Sequence, residues 1–218
     1  MIKIEKTQVL NLDGAIRGMR NPMNSWDKSD SEVDIIAGCQ CFVVGENDLD
    51  LMKKLIKAGS DHRKFMRQIF VCVDITAPLY WWKEFDTYKV GTVSNSCSTM
   101  HKIHSKEFKS DDFSCEHLFN SLGQGMYREN LLYTIGALNH ARKLYLETKD
   151  KKYWWQMIQL LPSSYNQKRT ITLTYENLIN MYHARKNHKL DEWKHFCGWV
   201  ETLPYAKDLI CEKGKEND

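Results

Sequence analysis

The chain has 218 residues and a formal charge of +3, from 31 lysines and arginines against 28 acidic residues. That near-balance excludes a strongly basic nucleic-acid coat and an acidic tail protein, and a hydrophobic content of 42% excludes a disordered chain. A chain of this length buries roughly 70% of its unfolded surface, enough for a core without disulfide or metal staples. Seven cysteines are odd in number and scattered, and Cys39 and Cys41 would alternate faces on a strand. All seven therefore read as reduced thiols of a cytoplasmic protein. No stretch approaches the roughly 18 apolar residues that span a bilayer. Lys3, Glu5 and Lys6 break up the N-terminal segment, so no secretory signal is expected there.

In chain order, residues 1–30 read as an opening strand and then a polar loop or short helix holding Arg17, Arg20, Asn21 and Pro22. Residues 33–44 are apolar and compatible with either a helix or a strand. Asn47 reads as an N-cap, Leu49, Met52, Leu55 and Ile56 follow on one helical face, and Gly59 marks the stop. Residues 65–76 predict a strand with Phe65, Arg67, Ile69, Val71, Val73 and Ile75 on one side. Pro78 stands where the next helix begins, over LYWWKEFDTYK. Gly91–Thr99 is a loop by composition.

The second half is mostly helical. Met126–Thr148 is a long helix with Leu131, Leu132, Ile135, Leu138, Leu144 and Leu146 on its apolar side. Tyr153–Leu161 is another, ended by Pro162. A strand over Arg169–Tyr175 interrupts, and two further helices follow, the last ended by Pro204. Strands early and helices late give an α+β class, a small antiparallel-type sheet with long helices.

Two segments resemble the flavin-dependent thymidylate synthases. In that family a strand ends in Ala-Pro and leads through a helix into a signature that opens on Arg-His-Arg; here the strand is QIFVCVDIT, the pair is Ala77-Pro78 and the helix is LYWWKEFDTYK. The family also carries Leu-Pro, a polar stretch, a strand and a helix ending in an arginine that contacts the base. Leu161-Pro162 is followed without a gap by SSYNQKRTITLTYENLINMYHAR, ending at Arg185. The departures lie in the signature: Thr87-Tyr88-Lys89 replaces Arg-His-Arg, Ser96 takes the glutamate position, and Met100 the final arginine that helps bind phosphate.

The resemblance covers most of residues 45–210 and implies one domain over 1–218, with 1–44 as a divergent part. It implies reductive methylation of dUMP to dTMP with FAD, NADPH and methylenetetrahydrofolate, in a cytoplasmic homotetramer, here of a divergent, phage-type branch. Carried over residue by residue, Arg185, Thr92, Asn95 and Ser98 contact the nucleotide, and Lys89 and His62 hold FAD. No residue is singled out as a nucleophile. Two alternatives stand beside it: a nucleotide-binding or sequestering protein that has lost turnover, and a flavin-dependent modifier of another pyrimidine nucleotide. In the first of these, Arg63, Lys64 and Arg67 are the cations available to replace the missing arginines.

Taken without the family, the loop from Lys89 to Thr99 offers a cation, Gly91 and a run of hydroxyls and amides suited to a phosphate or polar ring, or to an ordinary surface loop. Arg185, with Lys186, His188 and Lys189, reads as a forked donor to a carbonyl or phosphate, or as a solvated basic helix end. Of Trp81-Trp82 and of Trp154-Trp155, one ring each is expected in the core and the other half-exposed, since helical neighbours point about 100° apart. Tyr165 and Asn166 suit a pocket wall or a turn. Cys97, His101, His104, Cys115 and His117 cluster without a standard zinc spacing, and no metal is expected. Gly123-x-Gly125 is a weak phosphate-loop signal. Neither nucleic acid nor a membrane is an expected partner.

Overall fold

Val71, Val73 and Ile75 are fully buried, and this alternation lies on an inner strand of the sheet. The computed structural model describes residues 2–36, 39–118 and 125–212. In chain order the elements are β1 (Lys3–Leu10), α1 (Leu12–Arg20), β2 (Glu32–Ile36), β3 (Cys39–Val43), α2 (Glu46–Lys57), β4 (Phe70–Pro78) and α3 (Leu79–Phe85). There follow β5 (Val93–Ser96), α4 (Met126–Thr148), α5 (Lys151–Leu160), β6 (Asn166–Thr174), α6 (Tyr175–Arg185) and α7 (Asp191–Val200). Four strands form a sheet in the order β1-β4-β6-β5, and β2 and β3 form a separate antiparallel hairpin with Val33 opposite Phe42. The class is α+β, as expected. Among the described residues no helix is long and apolar enough to cross a membrane.

The chain divides into two compact units. The first holds residues 74–87 and 95–170 with the first three residues. Its core joins α4 and α5 through Leu131, Ile135, Leu138, Ala141 and Met157, with Phe108 and Phe113 from the connecting segment. Leu132 and Leu146, expected on the apolar side of α4, are exposed instead, because Ala141 rather than either of them completes the buried stripe. In α3 both Trp81 and Trp82 are buried, against the expectation of one half-exposed ring. Trp82 can be enclosed because its indole Nε1 donates to the Gln167 carbonyl at 2.9 Å and Arg169 lies 4.2 Å over its ring.

The second unit holds residues 4–73, 88–94 and 171–218. Here α6 packs against α7, the turn at Lys64–Arg67 and a π-helical turn at Lys207–Cys211. Three sequence expectations change in this unit. Residues 65–69 are not strand: Phe65 and Met66 are adjacent and both buried, which a pleat cannot arrange and a 3-10 turn can. Within residues 33–44, the described residues pair as the antiparallel strands β2 and β3. Asn47 is not the N-cap of α2. Gly45 is, and the Asp30 carboxylate accepts the Asn47 and Asp48 backbone N–H groups at 2.9 and 3.1 Å.

Asp48 itself is fully buried. Its carboxylate accepts from Arg20 Nε at 2.6 Å, the Ser29 and Ser31 hydroxyls at 2.7 and 2.6 Å, and the backbone N–H groups of Asp30 and Ser31 at 3.1 Å. Burial alone would raise its pKa. The hydrogen bonds from Ser31, Ser29 and Arg20 outweigh that and hold the carboxyl below its ordinary value.

Candidate functional site

In the second unit, residues 88–92 run along α6. Helix α3 has ended at Phe85, closed by the Thr87 hydroxyl on the Glu84 carbonyl at 2.7 Å. Tyr88 then sends its hydroxyl to Arg185, whose Nε donates to it at 2.9 Å. The guanidinium carbon lies 4.9 Å from the Trp193 ring centre and 5.6 Å from that of Tyr88. Arg185, half-buried at the last turn of α6, is therefore held between two aromatic rings before any ligand arrives.

The other end of the run is fixed by Asn177, third residue of α6. Its Nδ2 donates to the Val90 carbonyl at 2.6 Å. Its Oδ1 accepts the Thr174 backbone N–H at 3.0 Å, completing a capping box with the Thr174 hydroxyl. Gly91 makes the turn at φ 76°, and a Cβ there would meet Asn177 Oδ1 at 3.1 Å, so both conformation and space call for glycine. Lys89 projects into solvent from this turn.

A second turn is held by the neighbouring residue of the same helix. Gly59, at φ 105°, accepts the backbone N–H groups of His62 and Arg63 at 3.1 Å through its carbonyl. Arg63 then grips Glu176 with two prongs, Nε to Oε2 at 3.0 Å and Nη2 to Oε1 at 3.0 Å. His62 is left exposed beside it. Glu176 and Asn177 thus each tie one turn to the first turn of α6, and each turn presents one basic side chain.

The sequence-derived candidates fall in two places. Arg185, Lys89, Thr92 and His62 lie in the second unit, and the structure places Arg185, Lys89 and Thr92 on or beside α6. Thr92 Oγ1 is buried with no hydrogen-bond partner among the described residues. Asn95 and Ser98 belong to the first unit. The loop expected over Gly91–Thr99 contains β5, because the Cys97 backbone N–H pairs with the Lys168 carbonyl at 2.9 Å, and Asn95 is exposed on that strand. Ser98 Oγ accepts the Met100 and His101 backbone N–H groups at 3.2 and 2.8 Å, so it closes a turn.

Arg63 cannot substitute for the missing arginines while it is paired with Glu176, and Arg67 reaches the Ser60 carbonyl at 3.4 Å. Tyr165 and Asn166 pack inside the first unit, Tyr165 against Phe108 and Phe113, Asn166 accepting from Ser114 at 2.9 Å. No group of three metal-ligating side chains forms among the described residues. The Gly123-x-Gly125 signal rests on residues outside those described. The six cysteines with described side chains are unbridged, and burial, with Glu201 and Cys211 nearby, pushes the Cys197 thiol up to about 11. It is therefore no thiolate at neutral pH.

Sequence reasoning missed Tyr88, Glu176 and Asn177. The Thr-x-x-Asn spacing at Thr174 signals a cap, but nothing in it signals that the Asn amide reaches Val90.

No protein-family model and no curated protein matches the chain by sequence. Solved structures match it by fold. Thymidylate synthase X (ThyX) from Helicobacter pylori, with FAD and dUMP, aligns at TM-score 0.68 and 17% identity over 99% of this chain and 100% of that one. A second structure, of the flavin-dependent thymidylate synthase ThyX from Helicobacter pylori complexed with FAD and dUMP, aligns at TM-score 0.67 and 17% identity over 95% and 97%. At that identity the likeness establishes that this chain has the ThyX fold.

Proposed function

We propose that this protein binds FAD and a pyrimidine nucleotide and acts as a divergent flavin-dependent thymidylate synthase, converting dUMP to dTMP with methylenetetrahydrofolate and NADPH. The whole chain is read as one functional domain that assembles as a homotetramer. The observation that carries the reading is the end-to-end fold match to a chain holding FAD and dUMP, together with Arg185 held ready at the end of α6.

The residues present fit a phosphorylated cofactor. Thr92 offers a buried hydroxyl lacking a partner, and buried polar groups in folded proteins are otherwise almost always bonded. Lys89 and His62 stand exposed on two turns fixed to the same helix and would hold FAD through its phosphates. Reduced flavin supplies the reducing equivalents when bound. The chain's own part is binding and orientation. Arg185, oriented by Tyr88, would donate to the uracil carbonyls. Thr92, Asn95 and Ser98 supply nucleotide contacts.

A second reading is favoured by one specific observation: neither arginine of the family's Arg-His-Arg is present, Thr87 standing for one and Lys89 for the other. A lost charge-assisted contact costs about 1.5–3 kcal/mol, so a nucleotide-binding protein without turnover is the alternative.

The test is the visible spectrum of the purified full chain before and after adding FAD and desalting, followed by dUMP-dependent NADPH oxidation. Retained flavin with turnover is expected. Retained flavin or dUMP binding without turnover selects the second reading, and a folded protein that holds neither ligand overturns both. Arg185→Ala is expected to abolish dUMP binding while the chain stays folded; unchanged affinity would remove Arg185 from the site.

A further inference from the structure

The first unit contains a cleft that the reading above does not use. It has a volume of about 400 Å³ and is lined by Met100, His101, His104, Tyr145, Lys149, Lys151 and Trp154. That size lies within the roughly 300–1,000 Å³ range of small-molecule sites. Four of its lining side chains are bases and none is an acid.

The one carboxylate between the two lysines in sequence faces elsewhere. Asp150 accepts the Lys152 backbone N–H at 3.0 Å and pairs with the Lys152 ammonium at 3.0 Å. Lys149 caps α4 in the left-handed conformation, φ 58°, its N–H on the Tyr145 carbonyl at 2.9 Å. Lys151 opens α5 with its ammonium 5.9 Å from the Trp154 ring centre.

The remaining walls are aromatic and fixed. Trp154 Nε1 donates to the Met100 carbonyl at 2.9 Å, which sets the indole plane. His104 meets Tyr145 edge to face at 4.9 Å, and Arg142 Nε holds the His104 carbonyl at 3.0 Å. His104 Nδ1 is shielded from solvent and has no hydrogen-bond partner among the described residues. Cations without counter-charges, beside a fixed indole, are the chemistry that recognises an anionic group carried on a planar ring. Among the described residues no third metal-ligating group gathers around its two histidines.

We propose that this cleft binds a phosphomonoester attached to an aromatic ring, with Lys149 and Lys151 on the phosphate and Trp154 against the ring. The cleft shares no lining residue with the flavin and dUMP reading, although Ser98 of that reading accepts the Met100 and His101 backbone N–H groups.

The test titrates phenyl phosphate into the full chain and follows tryptophan fluorescence. Lys149→Asn with Lys151→Gln removes both charges, and asparagine tolerates the left-handed conformation at position 149. Saturable binding by the parent protein is expected, weakened about tenfold or more in the double variant, as loss of two charge-assisted contacts requires. Trp154→Phe is expected to remove most of the fluorescence change, and Arg185→Ala to bind phenyl phosphate like the parent. Circular dichroism confirms that each variant is folded. Absence of binding to the parent, or equal binding by the double variant, overturns the proposal. Because phenyl phosphate contains neither flavin nor uracil, either result is distinct from failure of the synthase reading.

Discussion

Asp48 and Thr92 both bury a side-chain oxygen in the second unit, and their surroundings differ in kind. The Asp48 carboxylate receives five donors, from Arg20, Ser29, Asp30 and Ser31, and locks the polar segment before β2 onto α2. Thr92 Oγ1 receives and gives nothing among the described residues. A saturated buried anion has no capacity left for a ligand, so its role is to hold the fold. An unsatisfied hydroxyl weakens the fold slightly and keeps a bond in reserve for something else. The same contrast separates Arg63, whose two-pronged bond to Glu176 uses its fork, from Lys89, which is exposed.

Four variants test this division. The largest effect is expected from Asp48→Ala, which strands Arg20 in the interior and should cost about 3–5 kcal/mol of unfolding free energy by urea denaturation. A loss below about 1 kcal/mol would mean the cluster is not what fixes this region. The same carboxylate sets an acid limit. Its folded pKa lies below the ordinary value of 3.8, so its stabilisation is complete above that value and is lost as pH falls through the folded one. The wild type should therefore lose stability below about pH 4 more steeply than Asp48→Asn; parallel pH profiles would contradict the assignment.

Next comes Glu176→Gln, which breaks a half-buried charged pair and should cost about 1.5–3 kcal/mol. It should also loosen the turn bearing His62, measured as faster amide exchange at residues 59–63. Unchanged exchange would show that Gly59, not Glu176, holds the turn. The smallest effect on stability belongs to Thr92→Val, expected within about 1 kcal/mol of the parent or above it, since no bond is lost. Its FAD or dUMP affinity should fall nonetheless. A large loss of stability would reveal a structural partner for the hydroxyl, and unchanged affinity would return Thr92 to the scaffold.

Legibility in the sequence followed the range of the interaction. The limits of α4 coincide with the expected Met126–Thr148, because a long period of apolar residues leaves little freedom. Arg185 was named through the resemblance, by its spacing from Pro162 within one continuous segment. The partner of Arg185 was not reachable, since Tyr88 lies 97 residues away in sequence. Asn47 was mistaken for a cap because the capping carboxylate comes from Asp30, 17 residues upstream. Residues 65–69 imitate a strand because they run directly into the apolar alternation of β4, while the burial of Met66 beside Phe65 is set by tertiary packing. Trp82 is enclosed beside Trp81 with the help of a carbonyl acceptor and an arginine from β6, partners that helical geometry alone does not announce.

The adjacency of Glu176 and Asn177 has a mechanical meaning. The turns bearing His62 and Lys89 are far apart along the chain, yet both are tied to one rigid peptide step at the start of α6. Displacement of one turn against the helix is therefore opposed at the same peptide step that anchors the other, so the two basic side chains share a single mechanical reference.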